Sequence, residues 1–282
     1  MSAIVFSNPT SRPADPRALL AAFRAAEPRL FDLGVVLLLA MLPTGFAGLV
    51  DPRTLLGVDI WDKPLKFEFA LAVYLLTLVL FARLLPAGTT RTRWYRLYSS
   101  AAIVAIVLEM AWIAGASAVG AASHFNTSPL GQVIYPLMGA LAALLTSLSA
   151  VYAWQIARNP ATGLSPAVKE SIVLGLALVL PLTLVSAGTM SAMGGHWVGG
   201  ASSDAAGLTV IGWARDGGDL RVAHFFATHA MHFIPAFGLV SAGLFGRENR
   251  RPVKVFAALF VAFVTYTFVE ALSGRPFLPF LG

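Results

Sequence analysis

From residue 31 onward the chain alternates long apolar runs with short polar segments. The runs cover approximately residues 31–50, 65–85, 97–117, 132–157, 168–190, 220–245 and 253–273. A helix needs about 20 apolar residues to cross the hydrocarbon of a bilayer, so the pattern predicts an all-α, polytopic membrane bundle of about seven transmembrane helices. Pro43, Pro136, Pro181 and Pro235 fall inside the runs. Each is expected to mark a kink, because proline lacks the N–H that bonds the carbonyl four residues back. No internal repeat is visible, and an odd number of spans argues against a simple inverted-repeat transporter. Ahead of the first run, residues 17–30 (RALLAAFRAAEPRL) place Leu19, Leu20 and Phe23 on one face, as a helix lying along a membrane surface or a solvated leader would. Residues 1–29 hold no continuous apolar stretch of the signal-peptide kind, so the N-terminus is expected to be retained.

Composition closes off other classes. Hydrophobic residues make up 57% and charged residues 12% of 282 positions, against about 25% charge in a soluble domain. The mean hydropathy is +0.74, which excludes a water-soluble fold. The absence of cysteine excludes disulfides, thiolate metal sites, iron–sulfur clusters and covalently attached c-type haem. A net charge of +6 serves topology in such a chain, so membrane lipids and not nucleic acid are the expected partners. Fourteen of the 20 Lys and Arg lie on the side of the N-terminus and six on the other. The positive-inside rule then places the N-terminus in the cytoplasm and the C-terminus outside. The resulting division is a cytoplasmic tail over 1–30, a seven-helix domain over 31–275 and a short outer tail over 276–282.

Under that topology the unusual polar segments all map to the outer face: WDKPLKFE at 61–68, SHFN at 123–126, GGHW at 194–197 and DGGDLRVAH at 216–224. A polar cavity opening outward among the second, third, sixth and seventh spans is expected. The inner halves read as almost purely apolar, which disfavours transport.

An ionisable group inside a span is costly enough that function is its default reading. Glu109 lies about 12 Å inside the outer end of its run, and His229 and His232 lie about 14 and 18 Å inside theirs. Three residues apart on a helix, His229 and His232 can reach one ion or one hydrogen-bonded network. His224 is about 12 Å of rise from His232, too far to share an ion on an unbroken helix. The result is a deep tier of Glu109, His229 and His232, with Glu109 and His224 as expected catalytic groups, and a rim of Glu68, His124, His196 and Glu270. Imidazole with carboxylate suits a metal ion. A b-type haem, a quinone site exchanging protons, and a purely structural polar network are the alternatives. No His-Glu-x-x-His or Glu-x-x-His pattern occurs, and no Gly-x-Ser-x-Gly elbow accompanies Ser123 or Ser191. Asp219, after Gly217 and Gly218, stands where an N-cap belongs. Lys66, Arg221 and Asp219 could meet a lipid headgroup or an anionic substrate, with snorkelling to the headgroups the simpler role for the two cations. Gly194, Gly195, Gly199 and Gly200 around His196 and Trp197 read as a flexible outer lid. Pro235 is expected to bend the sixth span just below His232, widening its outer half.

WDKPLKFEF, SHFN and GDLRVAHFFATHAMHFIP resemble segments of a family of bacterial polytopic membrane proteins. The resemblance spans most of the chain from the second to the sixth run. It implies the bacterial cytoplasmic (inner) membrane as location and carries no activity. In that family His224 and His229 recur while another polar residue often replaces His232, which implies a network centred on His224 and His229. The leading expectation is a metal- or haem-dependent membrane oxidoreductase acting on a lipophilic or quinone-like substrate at the outer leaflet. The opposing class is an accessory subunit of a membrane protein complex or a proton-coupled small-solute transporter.

Overall fold

The computed structural model describes residues 15–281. Residues 1–14 of the expected N-terminal tail and residue 282 of the outer tail lie outside the described residues. Within them the chain folds into α1 (Pro16–Ala26), α2 (Pro28–Val50), α3 (Asp62–Ala82), α4 (Arg93–Ala118), α5 (Pro129–Arg158), α6 (Pro166–Met193), α7 (Leu220–Thr228), α8 (Ala230–Leu244) and α9 (Arg251–Leu272). Two short hairpins join them: β1 (Thr54–Leu55) with β2 (Val58–Asp59), and β3 (Trp197–Val198) with β4 (Gly218–Asp219). Six helices, α2 to α6 and α9, are long and apolar enough to cross a membrane, and the pair α7–α8, bent by 54° at its break, passes the same test together, which gives six or seven candidate spans among the described residues. The chain is a polytopic helical membrane protein.

Most of the spans begin a turn earlier than hydropathy alone predicts. Proline occupies the first turn of α1, α2, α5, α6 and α9; its missing N–H is one of the helix's orphan donors in any case, and its fixed φ already suits the helix. Ser128 caps α5 by accepting from the Gly131 N–H at 3.1 Å. At the other end of α6, Gly194 closes the helix in the left-handed region at φ 66, where glycine carries no Cβ penalty.

The expected place of the bend in the sixth span needs correcting. Pro43, Pro136, Pro181 and Pro235 all sit inside helices that run on through them. The break in the sixth span falls at His229, whose φ of −89 and ψ of 5 separate α7 from α8; it lies above His232, not below it. Two anchors account for it. Asp219 ties the start of α7 to the 194–219 segment, while α8 lies close against α6, where a Cβ on Gly175 would come within 2.8 Å of Pro235 Cδ and 2.9 Å of the Ala230 carbonyl. Small residues permit such backbone approach between membrane helices.

In the bundle α2 packs on α3, α3 on α4, α4 on α5, and α5 on α6; α6 also carries α7, α8 and α9. Leu75, Leu78, Ile106, Leu148, Leu176, Met231 and Ile234 are fully or almost fully buried in the shared core. Large apolar side chains such as Leu42, Leu49 and Leu259 remain exposed. That is unfavourable in water and expected where lipid covers the surface.

The two ends differ from the expectation of an apolar inner half. At the end holding α1, Glu27 is buried, with Arg29 Nε 3.4 Å from its Oε1. Arg29 also donates to Ser99 Oγ at 2.6 Å, Ser100 Oγ at 2.9 Å and the Arg96 carbonyl at 3.1 Å. Beside them the hydroxyls of Tyr95 and Tyr152, both fully buried, bond at 2.6 Å. Burial raises the Glu27 carboxyl above the usual carboxylate range, and Arg29 opposes that shift.

Candidate functional site

At the opposite end, residues 194–219 fold over the bundle as a cap. The β3–β4 pairing sets Trp197 opposite Asp219, and the Leu220 N–H donates to the His196 carbonyl at 2.9 Å. Asp219 is buried and caps α7, accepting from Arg221 N at 2.9 Å and Ala214 N at 3.0 Å. The Arg221 guanidinium bonds Asp219 Oδ2 and Asp204 Oδ1, both at 2.6 Å, and the Gly212 carbonyl at 2.7 Å. These bonds hold the segment down, so it is a pinned cap and not the flexible lid its glycines suggested. Gly218 makes the point sterically, since a Cβ there would lie 1.9 Å from the Ala271 carbonyl.

Asp219 and Arg221 therefore act on each other; the third residue expected to meet a headgroup or anion is Lys66. That side chain is exposed and pairs with Asp62 at 2.6 Å, one helical turn back. Arg275 similarly holds Glu270 through two bonds, at 2.6 and 2.9 Å. Asp219 and Glu270 line a small cavity of about 50 Å³ with Arg275 and Phe277. A second hollow, of about 410 Å³, lies between α6 and α9 near Glu170 and Lys254. Neither is the expected polar cavity among the second, third, sixth and seventh spans.

Below the cap, the histidines form two hydrogen-bonded groups. His229 Nδ1 and His232 Nδ1 are 3.0 Å apart, His232 Nε2 is 2.9 Å from Thr77 Oγ1, and the Thr77 hydroxyl lies 2.7 Å from the Val73 carbonyl. A carbonyl can only accept, so satisfying every group fixes the direction. Thr77 donates to Val73 and accepts from His232 Nε2–H, leaving His232 Nδ1 to accept from His229 Nδ1–H. The lone pair at the open end of this series is His229 Nε2. In the second group Ser186 Oγ lies 3.1 Å from the carbonyls of Leu182 and Thr183 and 3.1 Å from His224 Nδ1. By the same logic His224 donates through Nδ1 and keeps a free Nε2.

Glu109 does not join them. It is buried, and its Oε1 has no hydrogen-bond partner. Helix α4 packs on α3 and α5, whereas α8 packs on α6 and α9, so matching depths did not bring Glu109 to the histidines. Among the described residues no group of three or more His, Cys, Asp or Glu side chains could hold a metal ion; the ligand set Glu109, His229 and His232 is not assembled. Glu68 is likewise buried elsewhere, accepting from the Thr44 hydroxyl at 2.8 Å while its Oε2 stays unpartnered.

The loop histidines His124 and His196 pack into an aromatic corner. His124 lies against Phe67 and Tyr135, with ring centroids 5.6 and 5.8 Å away, and its Nδ1 is 3.1 Å from Ser123 Oγ. Burial, with the nearby Lys63 and His224, lowers its pKa to about 3. His196 packs on Trp197 at 3.8 Å, and its Nε2 lies 3.7 Å from Asp204 Oδ1. Burial pushes the Asp204 carboxyl up, but His196 and Arg221 outweigh it and hold the group below the usual carboxylate range.

Several of these residues escape a sequence reading. Thr77 and Ser186 are single hydroxyls in apolar runs, where serine and threonine commonly bond their own helix. Asp204 belongs to a loop without periodicity. Lys63 stands inside the quoted WDKPLKFE but reads there as one more interfacial cation.

Fold and site together define a multi-pass helical membrane protein with a capped, histidine-containing polar cluster at one end. The chain matches no known protein family, no curated protein and no solved structure, so the resemblance of its motifs rests on those motifs alone.

Proposed function

We propose that the protein works in the bacterial inner membrane, N-terminus in the cytoplasm and capped end outside, as an oxidoreductase exchanging protons with a lipophilic, quinone-like substrate. The observation that carries this reading is the directed series His229–His232–Thr77. Neutral imidazole both accepts and donates, so a substrate proton can be taken up at His229 Nε2 and shared through Nδ1–H with His232, returning by the same nitrogen; the series ends at Thr77, whose hydroxyl is committed to the Val73 carbonyl. The surrounding bundle supplies an apolar approach for a lipid-soluble ring. Redox turnover needs an electron carrier; His224 Nε2, left open by the Nδ1 contact to Ser186, would hold a b-type haem or a metal ion, with His229 Nε2 kept for the proton.

A second reading is a proton-coupled transporter or an accessory subunit. It draws on the buried Glu27, Tyr95 and Tyr152 at the other end, which supply the polar groups that the inner half was expected to lack.

The test is infrared difference spectroscopy on the reconstituted protein after addition of a short-tailed quinol. Histidine ring bands are expected to shift, and His232→Ala to abolish the shift while the protein still inserts; unchanged spectra in the wild type overturn the proposal. Elemental analysis with an absorption spectrum of the same preparation decides whether a metal or haem takes part.

A further inference from the structure

We propose that the corner beneath the cap recognises a planar aromatic ring through an acceptor-only oxygen, a quinone carbonyl or a ring carboxylate, with Lys63 and Trp197 as its principal donors. The inference rests on the reading of the capped end as the substrate site and names the chemistry that site selects.

It starts from an imbalance of hydrogen-bonding groups. Trp197 Nε1 and His196 Nε2 are both buried without a hydrogen-bond partner. Lys63 makes no ion pair among the described residues, although Arg221 and Asp204 are within electrostatic range of it. Asp219 gives both oxygens to Arg221, and Asp204 gives it Oδ1 at 2.6 Å. Ammonium and indole N–H groups only donate. The buried Trp197 and His196 nitrogens thus meet no acceptor, and a buried donor left unmade keeps its full desolvation cost. A ligand oxygen that only accepts removes that cost; a ligand cation or an alcohol offering its proton does not.

The walls specify the rest of the ligand. Phe67 lies against His124, Phe125 against Tyr135 at 5.3 Å and against His196 at 6.4 Å, and the Arg221 guanidinium sits 5.9 Å from the Trp197 ring. Flat aromatic surfaces on several sides favour a flat aromatic guest. Lys63 is also close enough to His124, and His124 to His224, for their charges to interact. An oxygen held at Lys63 therefore lies on the same side of the bundle as the free His224 Nε2.

The experiment is equilibrium binding to the full-length protein in nanodiscs, with a short-tailed benzoquinone and 2-naphthoate as the two probes. One probe is expected to bind; preference for the naphthoate identifies a carboxylate ligand and preference for the benzoquinone a carbonyl one. Lys63→Met is expected to weaken binding at least about ten-fold and Lys63→Arg to retain most of it. Trp197→Phe, which keeps the ring packing and removes only the N–H, is expected to weaken binding several-fold and decides the matter if Lys63→Met does not fold. The proposal is overturned if neither probe binds, or if both substitutions bind like the wild type. Proton exchange on binding, recorded in weak buffer, separates the two readings. Lys63-dependent binding with no proton change in wild type or His232→Ala leaves this inference standing and removes the proton-exchange function; proton exchange indifferent to Lys63 and Trp197 does the reverse.

Discussion

The two ends of the bundle both bury polar groups and partner them differently. At the α1 end Glu27 lies 3.4 Å from Arg29 with its Oε1 short of a hydrogen bond, Arg29 reaches two serines and a carbonyl, and the Tyr95 and Tyr152 hydroxyls bond each other. At the capped end Arg221 bonds two aspartates, yet Trp197 Nε1 and His196 Nε2 are buried without partners and Lys63 makes no ion pair among the described residues. Buried polar groups in a stable network rigidify a fold, and unpaired ones need an explanation. At the first end the one open atom, Glu27 Oε1, has a cation beside it, and the end reads as a lock between α1, α2, α4 and α5; at the second the open nitrogens have no acceptor beside them, and the end reads as a place prepared for something else.

The largest effect expected on this contrast comes from Arg221→Ala. It strands two carboxylates, one of them almost fully buried, and removing one partner of such a pair typically costs about 3–5 kcal/mol. Thermal unfolding in detergent should show a large drop in midpoint, with the cap becoming accessible to protease; an unchanged midpoint would mean that the cap does not depend on this clamp. Next is Gly175→Ala, whose new methyl would press on Pro235 and the Ala230 carbonyl. Overpacking of this kind costs about 1–3 kcal/mol and pushes α8 off α6. It should therefore disturb the His229–His232 contact as well as stability, which histidine NMR signals can record.

The contrast also shows what can be read from sequence and what cannot. The apolar spans were legible because hydrocarbon thickness fixes the length of an apolar run; the break that divides the sixth run into α7 and α8 was not. The first turns of the spans were missed because proline scores as a breaker while serving here as a helix starter. The hinge was placed at Pro235 from local chemistry, but it falls at His229, between the Asp219 cap of α7 and the close approach of α8 to Gly175, and no local rule sees that approach. Glu109 was grouped with the histidines because depth along a helix is readable from sequence and helix adjacency is not. The pairing of His229 with His232 was legible, three residues being one helical turn, whereas Thr77, Ser186 and Lys63 join the cluster only through packing of α3 and α6 beside the sixth span.

A smaller effect should follow from Tyr95→Phe at the α1 end. It removes one hydroxyl of the 2.6 Å Tyr95–Tyr152 bond and leaves the rings in place. A net loss of about 1 kcal/mol is expected, rising toward 2 if the Tyr152 hydroxyl finds no other partner. Ligand binding and proton exchange at the capped end should be unaffected. A loss of proton exchange in this variant would break the contrast and favour a polar path through the whole bundle, as the transporter reading requires.

A last effect is a change of slope with pH, and it belongs to His124. Its ordinary pKa of 6.5 falls to about 3 in the folded protein, first through burial and then through the charges of Lys63 and His224. Between those two values the unfolded chain binds a proton that the folded chain refuses, so stability rises with pH across the window. The contribution of His124 is fully present above about pH 6.5 and is lost as the pH falls toward 3. Midpoints of thermal unfolding recorded from pH 7 down to pH 4 should decline, and His124→Asn should flatten that decline, because asparagine does not titrate. Lys63→Met in the same series should flatten it less, since it removes a neighbouring charge and leaves the burial that is the larger cause. A His124→Asn profile parallel to the wild type would show that His124 is solvated, and with it that the aromatic corner is open to water.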